Sequence, residues 1–316
     1  MISRLKGAVK RRAERLVHAR APVILMYHRV TSLPADPWAL AVSPANFAEQ
    51  MEALCRVRRV VPLDSLDPAA PAARGDKPLA VITFDDGYRD FATDAAPIMA
   101  RYGCPATIFV TTGLVGKPHG FWWDQLARIV LETPALPPTL AAGNGASRRE
   151  WTAGAGLQSP AREALYRDIW SALYAMDGAA RDRAIAGMAK AAGVRLETTE
   201  NRAMDPNEIA SLPQELFTVG AHTVTHPALS QLSPELQSTE IETSRSMCAE
   251  LTGREPEAFA YPFGDYDDVT VDLVRNAGFA RAVTVNEARV RRSADPFQLP
   301  RINVGDWDGD RLLKAI

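Results

Sequence analysis

The sequence predicts an α/β fold, a (β/α) barrel of seven strands interrupted by one helical insertion. Three observations point there. Seven short, β-branched-rich runs recur: Pro22–His28, Leu79–Asp85, Ala106–Thr112, Phe217–His222, Ala258–Pro262, Arg281–Val285 and Gln298–Val304. They are near-continuously apolar rather than alternating, as strands buried on both faces of a parallel sheet or barrel are. Helical patterns separate most of them, and strand–helix alternation marks a parallel α/β architecture. Length alone, 316 residues, admits one domain or two. The continuous alternation favours one, over residues 21–316.

The first 20 residues hold seven Lys/Arg against Glu14 alone, with Ile2, Leu5, Val9, Ala13, Leu16 and Val17 at helical spacing. This reads as a basic amphipathic helix, suited to packing on its own domain or to peripheral contact with an anionic membrane. No secretory signal and no run of membrane-spanning length is visible, so cytoplasmic action at the inner membrane face is expected. Ser43-Pro44, Ser159-Pro160, Asp205-Pro206 and Ser233-Pro234 each pair an N-cap residue with proline in a first helical turn. Glu208 stands where it can close a capping box on Asp205. Gly103 and Gly278 follow helical stretches, where a left-handed residue is needed.

The insertion, about residues 117–204, separates the third run from the fourth. It contains helical stretches around Gly120–Glu132, Arg162–Met176 and Ala179–Ala192, and a Pro/Gly/Ala-rich loop, Thr133–Gly156. A linker-like segment, Asp64–Pro78, leads into the second run. Composition is that of an ordinary globular protein, 47% hydrophobic and 23% charged. A net charge of −2 gives no electrostatic case for nucleic acid. Cys55, Cys104 and Cys248 are odd in number and widely separated, and read as small buried hydrophobes rather than a disulfide framework or zinc-ligand pair.

Two segments carry chemistry. Thr83-Phe84-Asp85-Asp86-Gly87-Tyr88 puts adjacent carboxylates where a buried strand ends, and His222-Thr223-Val224-Thr225-His226-Pro227 puts two imidazoles at another strand end. Sites in parallel α/β folds form at such carboxyl ends, so these groups can share one pocket with His28 and the Tyr261–Gly264 turn. One Asp with two His leaves a divalent cation open to water, as in catalytic zinc sites, and the other Asp is then free to accept a proton. His222-Thr223-Val224-Thr225-His226 lacks the internal Glu of zinc proteases. A phosphatase of the haloacid-dehalogenase type would separate its acids by one residue and leave the His pair without a role.

Together the two segments resemble the first two motifs of the polysaccharide deacetylases, the NodB-homology or family-four carbohydrate esterases. The resemblance runs from about Pro22 to Val304. It implies a distorted (β/α)7 barrel, Asp85 as general base, and Asp86, His222 and His226 as metal ligands, with Zn2+ the simplest occupant and Co2+, Ni2+ or Mn2+ as alternatives. Met26-Tyr27-His28-Arg29-Val30 resembles the N-terminal motif of a circularly permuted branch that includes exopolysaccharide deacetylases, which implies His28 as the acid. No histidine follows His226, where many members supply theirs. Ala260-Tyr261-Pro262-Phe263-Gly264 resembles the third motif, with Ala260 where an Arg that holds the base is usual; the permuted branch shares that gap. Arg301, able to clamp a carboxylate with two parallel hydrogen bonds, is the candidate to orient Asp85, and Arg29 is the second choice.

The expected reaction is removal of N-acetyl groups from N-acetylhexosamine units of a polysaccharide or oligosaccharide, with the Phe263 backbone N–H facing the developing oxyanion. Tyr88, Trp122, Trp123, Tyr261 and Trp307 are candidates to stack on sugar rings. Relatives of the family act on other acyl or non-peptide C–N bonds, which is the competing enzymatic reading. A carbohydrate-binding pseudoenzyme is the non-enzymatic one.

Overall fold

Alternation along each strand decides which side chains face the barrel axis and which face the helices, because successive residues point to opposite sides. The computed structural model describes residues 20–69, 75–143, 148–153, 160–199 and 201–316. Strand β1 (Val23–Tyr27) sends Val23, Leu25 and Tyr27 into the core under the helices and Ile24 into the interior core. In β2 (Leu79–Phe84), Ala80, Ile82 and Phe84 face the helices and Val81 faces inward. The inward file of β1 therefore continues through Met26 to His28, and that of β2 through Thr83 to Asp85.

The remaining strands are β3 (Ala106–Val110), β4 (Phe217–Ala221), β5 (Ala258–Ala260), β6 (Arg281–Val283) and β7 (Ile302–Asn303). Their order is β6-β5-β4-β3-β2-β1-β7, and every pairing is parallel. A parallel bridge between Val283 and Leu299 joins β6 to the lead-in of β7 and closes the ring. The fold is thus the α/β barrel with seven strands that the runs predict. Regular pairing in the last run covers only Ile302–Asn303, because Leu299 is bonded instead to Ala282 and Thr284. A short extra strand, Arg59–Val60, lies against the start of β2. Gly220 in β4 is dictated by its neighbour: a Cβ there would lie 2.6 Å from the Phe109 ring that fills the interior.

Helices α1 (Pro44–Val57), α2 (Ala96–Tyr102), α3 (Trp122–Ala127), α4 (Ala161–Tyr174), α5 (Gly178–Ala192), α6 (Pro206–Ala210), α7 (Pro234–Thr252), α8 (Asp268–Asn276) and α9 (Gly309–Ala315) follow. Ser43, Asp205 and Ser233 cap α1, α6 and α7, and Glu208 closes the box on Asp205. α4 starts one residue later than the Ser159-Pro160 signal suggests, and Ser159 lies outside the described residues. So do residues 1–19, where the basic amphipathic helix is expected. Gly103 and Gly278 both have positive φ.

Within residues 117–204 the loop reading needs correction. Thr139–Ala142 and Arg149–Thr152 pair as an antiparallel hairpin. Its buried face, Leu140, Ala142 and Trp151, joins α3, α4 and α5 in a core of their own. The Pro/Gly/Ala-rich composition there masked a short alternating pattern that is stable only against those helices. The three thiols are free, with Cys104 and Cys248 buried and Cys55 partly so. Cys55 and Cys104 lie side by side, since separation along a chain says nothing about distance across helices packed on adjacent strands.

Candidate active site

Asp85, Asp86, His28, His222, His226 and Arg301 converge at the carboxyl ends of β1, β2 and β4 and the lead-in of β7. The backbone there is bent sharply. Among the described residues five non-glycine positions have positive φ, and four of them, Asp86, Thr223, His226 and Phe263, belong to this site. Such conformations cost about 1–3 kcal/mol each and persist only where surroundings enforce them. The turn at Asp86 (φ 72°) lets two adjacent carboxylates point into one pocket, which an extended strand forbids.

The two carboxylates have separate partners. Arg301, with 0% exposure, donates from Nη1 to Asp85 Oδ1 and from Nη2 to Asp85 Oδ2, each at 2.6 Å. Its own position is set by bonds from Nε to the Thr284 carbonyl (2.8 Å) and from Nη1 to Thr83 Oγ1 (3.2 Å). Burial alone would raise the Asp85 carboxyl; the Arg301 charge and its paired hydrogen bonds, helped by His222 and His28, outweigh burial and hold it below the ordinary carboxylate range. Arg29 is not a partner of Asp85. As the residue after His28 it points to the other side, pairs with Asp90 at 2.8 Å and lies over the Tyr88 ring.

Asp86 Oδ1 faces His222 Nε2 at 3.5 Å and His226 Nε2 at 3.3 Å. Burial opposes charge on Asp86, but the two imidazoles facing it lower its carboxyl far below the usual range. Burial also works against protonated His222, yet Asp86 and Asp85 raise it. Burial dominates at His226, which falls to about 4. His222 Nδ1 bonds the Ala260 carbonyl at 2.7 Å, which fixes the ring and leaves Nε2 aimed at Asp86.

The donor set fits a divalent cation. One atom each from Asp86, His222 and His226 lies within 4.8 Å of the others, all buried. Ligand separations of about 3.3–3.6 Å are the edges of a tetrahedron with bonds of about 2.0–2.2 Å. Asp86 Oδ1 is moreover buried without a hydrogen bond, a costly state for a carboxylate that ligation relieves. His28 Nε2 stands 4.0 Å from Asp85 Oδ2, and its side chain, 16% exposed, is the most accessible of the group.

Other expectations are redistributed. Tyr88 is fully buried and donates to Asp124 Oδ2 at 2.7 Å, and Tyr261, 1% exposed, donates to the Phe297 carbonyl. Neither ring is free to stack on a sugar, because hydroxyl and ring are both used in packing. Trp122 and Trp123 are buried in the core of the insertion, and Trp307 lies under Arg311. The Phe263 ring lies 4.4 Å from the His226 ring between centroids. His119 engages Gln125 and the Gly120 carbonyl, and His18 lies outside the described residues.

Two buried or half-buried acids escaped sequence reading. Glu240, on α7, accepts from Val224 N (2.7 Å), Thr225 N (2.9 Å) and Thr225 Oγ1 (2.6 Å), gripping the turn that carries both histidines. From the other side Gly113 N donates to the Val224 carbonyl at 2.9 Å. A helix-borne Glu 14 positions after His226 gives no sequence signal of this role. Asp124, in α3, is pushed up to about 7, first by burial and then by Asp86 and Asp90, with Arg29 and the Tyr88 hydroxyl opposing.

Comparison with known proteins agrees with this architecture. The family model described as polysaccharide deacetylase matches residues 72–133 and 184–282, about half of the chain. Poly-beta-1,6-N-acetyl-D-glucosamine N-deacetylase of Escherichia coli K12 is 23% identical over 90% of this chain but 36% of its own length, so the chain spans about a third of that relative. Streptococcus pyogenes deacetylase PplD, solved in complex with acetate, shares the fold with a TM-score of 0.61 at 20% identity, over 93% of this chain and 97% of that one. IcaB from Ammonifex degensii does so with a TM-score of 0.59 at 20% identity, over 94% and 97%. The chain therefore belongs to the polysaccharide deacetylase family of hydrolases.

Proposed function

We propose that this chain is a metal-dependent hydrolase that removes N-acetyl groups from N-acetylhexosamine units of a polysaccharide or oligosaccharide. One observation carries the reading: the Asp85-Asp86 pair is divided, one carboxylate held by a guanidinium and the other facing two imidazoles. Asp86, His222 and His226 would hold the cation, Zn2+ most simply and Co2+, Ni2+ or Mn2+ as alternatives. When bound, it supplies Lewis acidity to the acyl carbonyl and lowers the pKa of water. Asp85, kept ionised by Arg301, takes the proton of the attacking water. The Phe263 N–H faces the charge that grows on the carbonyl oxygen. His28 gives a proton to the departing amine, so acetate and a free amino sugar leave.

The reading is tested by acetate release from N-acetylglucosamine oligomers, acetylated xylan and cyclic imides, with chelator and metal add-back. N-acetylated oligomers should be the turned-over substrates, with activity lost to chelator and restored by metal. Asp85→Asn and His28→Ala should each lower kcat about 10²–10⁴-fold with metal retained, whereas His222→Ala should lose metal too. Wild-type turnover by Asp85→Asn would rule out the assigned base.

A further inference from the structure

Cys55 and Cys104 are distant in sequence and adjacent in space. Cys55 lies in the last turn of α1, and Cys104 sits between α2 and β3. Their Sγ atoms are 3.0 Å apart, about 1 Å beyond the S–S bond length of about 2.05 Å. Cys55 is partly exposed and Cys104 is buried beside it. A cavity of about 340 Å³, open to solvent, is lined by both residues and by Arg58, Arg59 and Lys77, with Asp76 as its one acid. Lys77 Nζ is anchored beside them on the Cys55 carbonyl at 2.8 Å. Cys248, by contrast, is fully buried on α7 and points at the Gly220 carbonyl.

We propose that Cys55 and Cys104 form an oxidation site, closed to an intramolecular disulfide by a low-molecular-weight anionic disulfide. The cationic rim suits such an oxidant, and the difference in access sets the order of steps. The Cys55 thiolate attacks one sulfur of the oxidant, forming a mixed disulfide and expelling one thiolate. The Cys104 thiolate then attacks Cys55 Sγ, forming the protein disulfide and expelling the second thiolate. Two protons pass from the protein thiols to the released thiolates, and the two electrons lost by the protein sulfurs reduce the oxidant.

The bond lies at the far end of the barrel from the candidate active site. Cys104 precedes the amino end of β3, whereas Asp85, Asp86 and His222 follow carboxyl ends of their strands. It ties α1 to the base of β3 and closes a 49-residue separation. Such a cross-link acts by constraining the unfolded chain, so it changes heat resistance and not turnover.

The test treats the 316-residue chain with oxidised glutathione or with dithiothreitol, then titrates thiols after denaturation, maps peptides and measures Tm. Of three cysteines, all three should titrate after reduction and one after oxidation, with Cys55 and Cys104 in one linked peptide. Oxidation should raise Tm by about 5 °C. Cys55→Ser and Cys104→Ser should each abolish that rise, and Cys248→Ser should keep it. Three free thiols in oxidised glutathione, a glutathione adduct that persists on Cys55, a linked peptide containing Cys248, or equal Tm values would each overturn the proposal. None of these readouts depends on the deacetylase reading.

Discussion

A buried carboxylate stays charged only where something close compensates it, and Asp85 and Asp86 are compensated by different groups. Arg301 does so for Asp85 with two donors in one plane, a fit that lysine cannot copy. Arg301→Lys should lower kcat by up to about 10²-fold. It should also move the acid limb of the pH–rate profile to higher pH, because Asp85 loses the partner that depresses its pKa; an unshifted limb would count against the clamp. Asp124 titrates the other way. Its folded value near 7 lies above the ordinary 3.8, so the folded protein holds a proton that the unfolded chain releases. Stability from this residue is then present at low pH and declines as pH rises from about 4 to about 7. Asp124→Asn removes that titration while keeping an acceptor for the Tyr88 hydroxyl. Thermal denaturation from about pH 5 to about pH 8 should show the variant gaining on wild type as pH rises.

At the scale of elements, the site is built where strands stop and turns take over. The His222–His226 turn holds two residues at positive φ and is gripped by Glu240 of α7 on one side and by Gly113 on the other. A Cβ at Gly113 would lie 2.5 Å from the Val224 carbonyl oxygen, so that grip needs a glycine. Glu240→Gln keeps the shape of the side chain but weakens the charge-assisted bonds to the turn. Metal affinity, read by competition with a chromogenic chelator, should fall about 10–100-fold, with Tm of the metal-free protein little changed. Unaltered affinity would reduce Glu240 to a helix-surface residue. The HTVTHP segment announced the paired histidines in sequence, but nothing local announced the acid on α7 that holds their turn, since the partners are brought together only when α7 packs on β4.

For the whole molecule, curling a parallel sheet into a ring makes remote strand ends neighbours, and a cation held by Asp86, His222 and His226 would cross-link them. Ligands from β2 and from the turn after β4 should make folding stability depend on metal concentration. Chelation should lower Tm and add-back restore it, with a metal-linked stabilisation of about 2.7 kcal/mol when free metal is at 100 times its Kd. A Tm indifferent to chelator in a protein that binds metal would contradict a site formed only on folding. The insertion contributes its own core of Trp122, Trp123, Leu126, Tyr166 and Ile169, which buttresses Phe263 and His226 from outside the barrel.

Seven apolar runs, the acidic doublet, the paired histidines and His28 at a strand end were legible because continuous apolar runs and strand-end placement are local properties, written in consecutive residues. Three-dimensional packing alone decided the rest. It chose Arg301 over Arg29 as the partner of Asp85, buried Tyr88, Trp122, Trp123 and Tyr261 among the aromatic rings expected to meet sugar, folded a Pro/Gly/Ala-rich loop into a hairpin and set Cys55 against Cys104. The physical reason is the same in each case: these choices depend on which surfaces meet after the chain closes, and contact across the barrel leaves no periodic trace along the sequence.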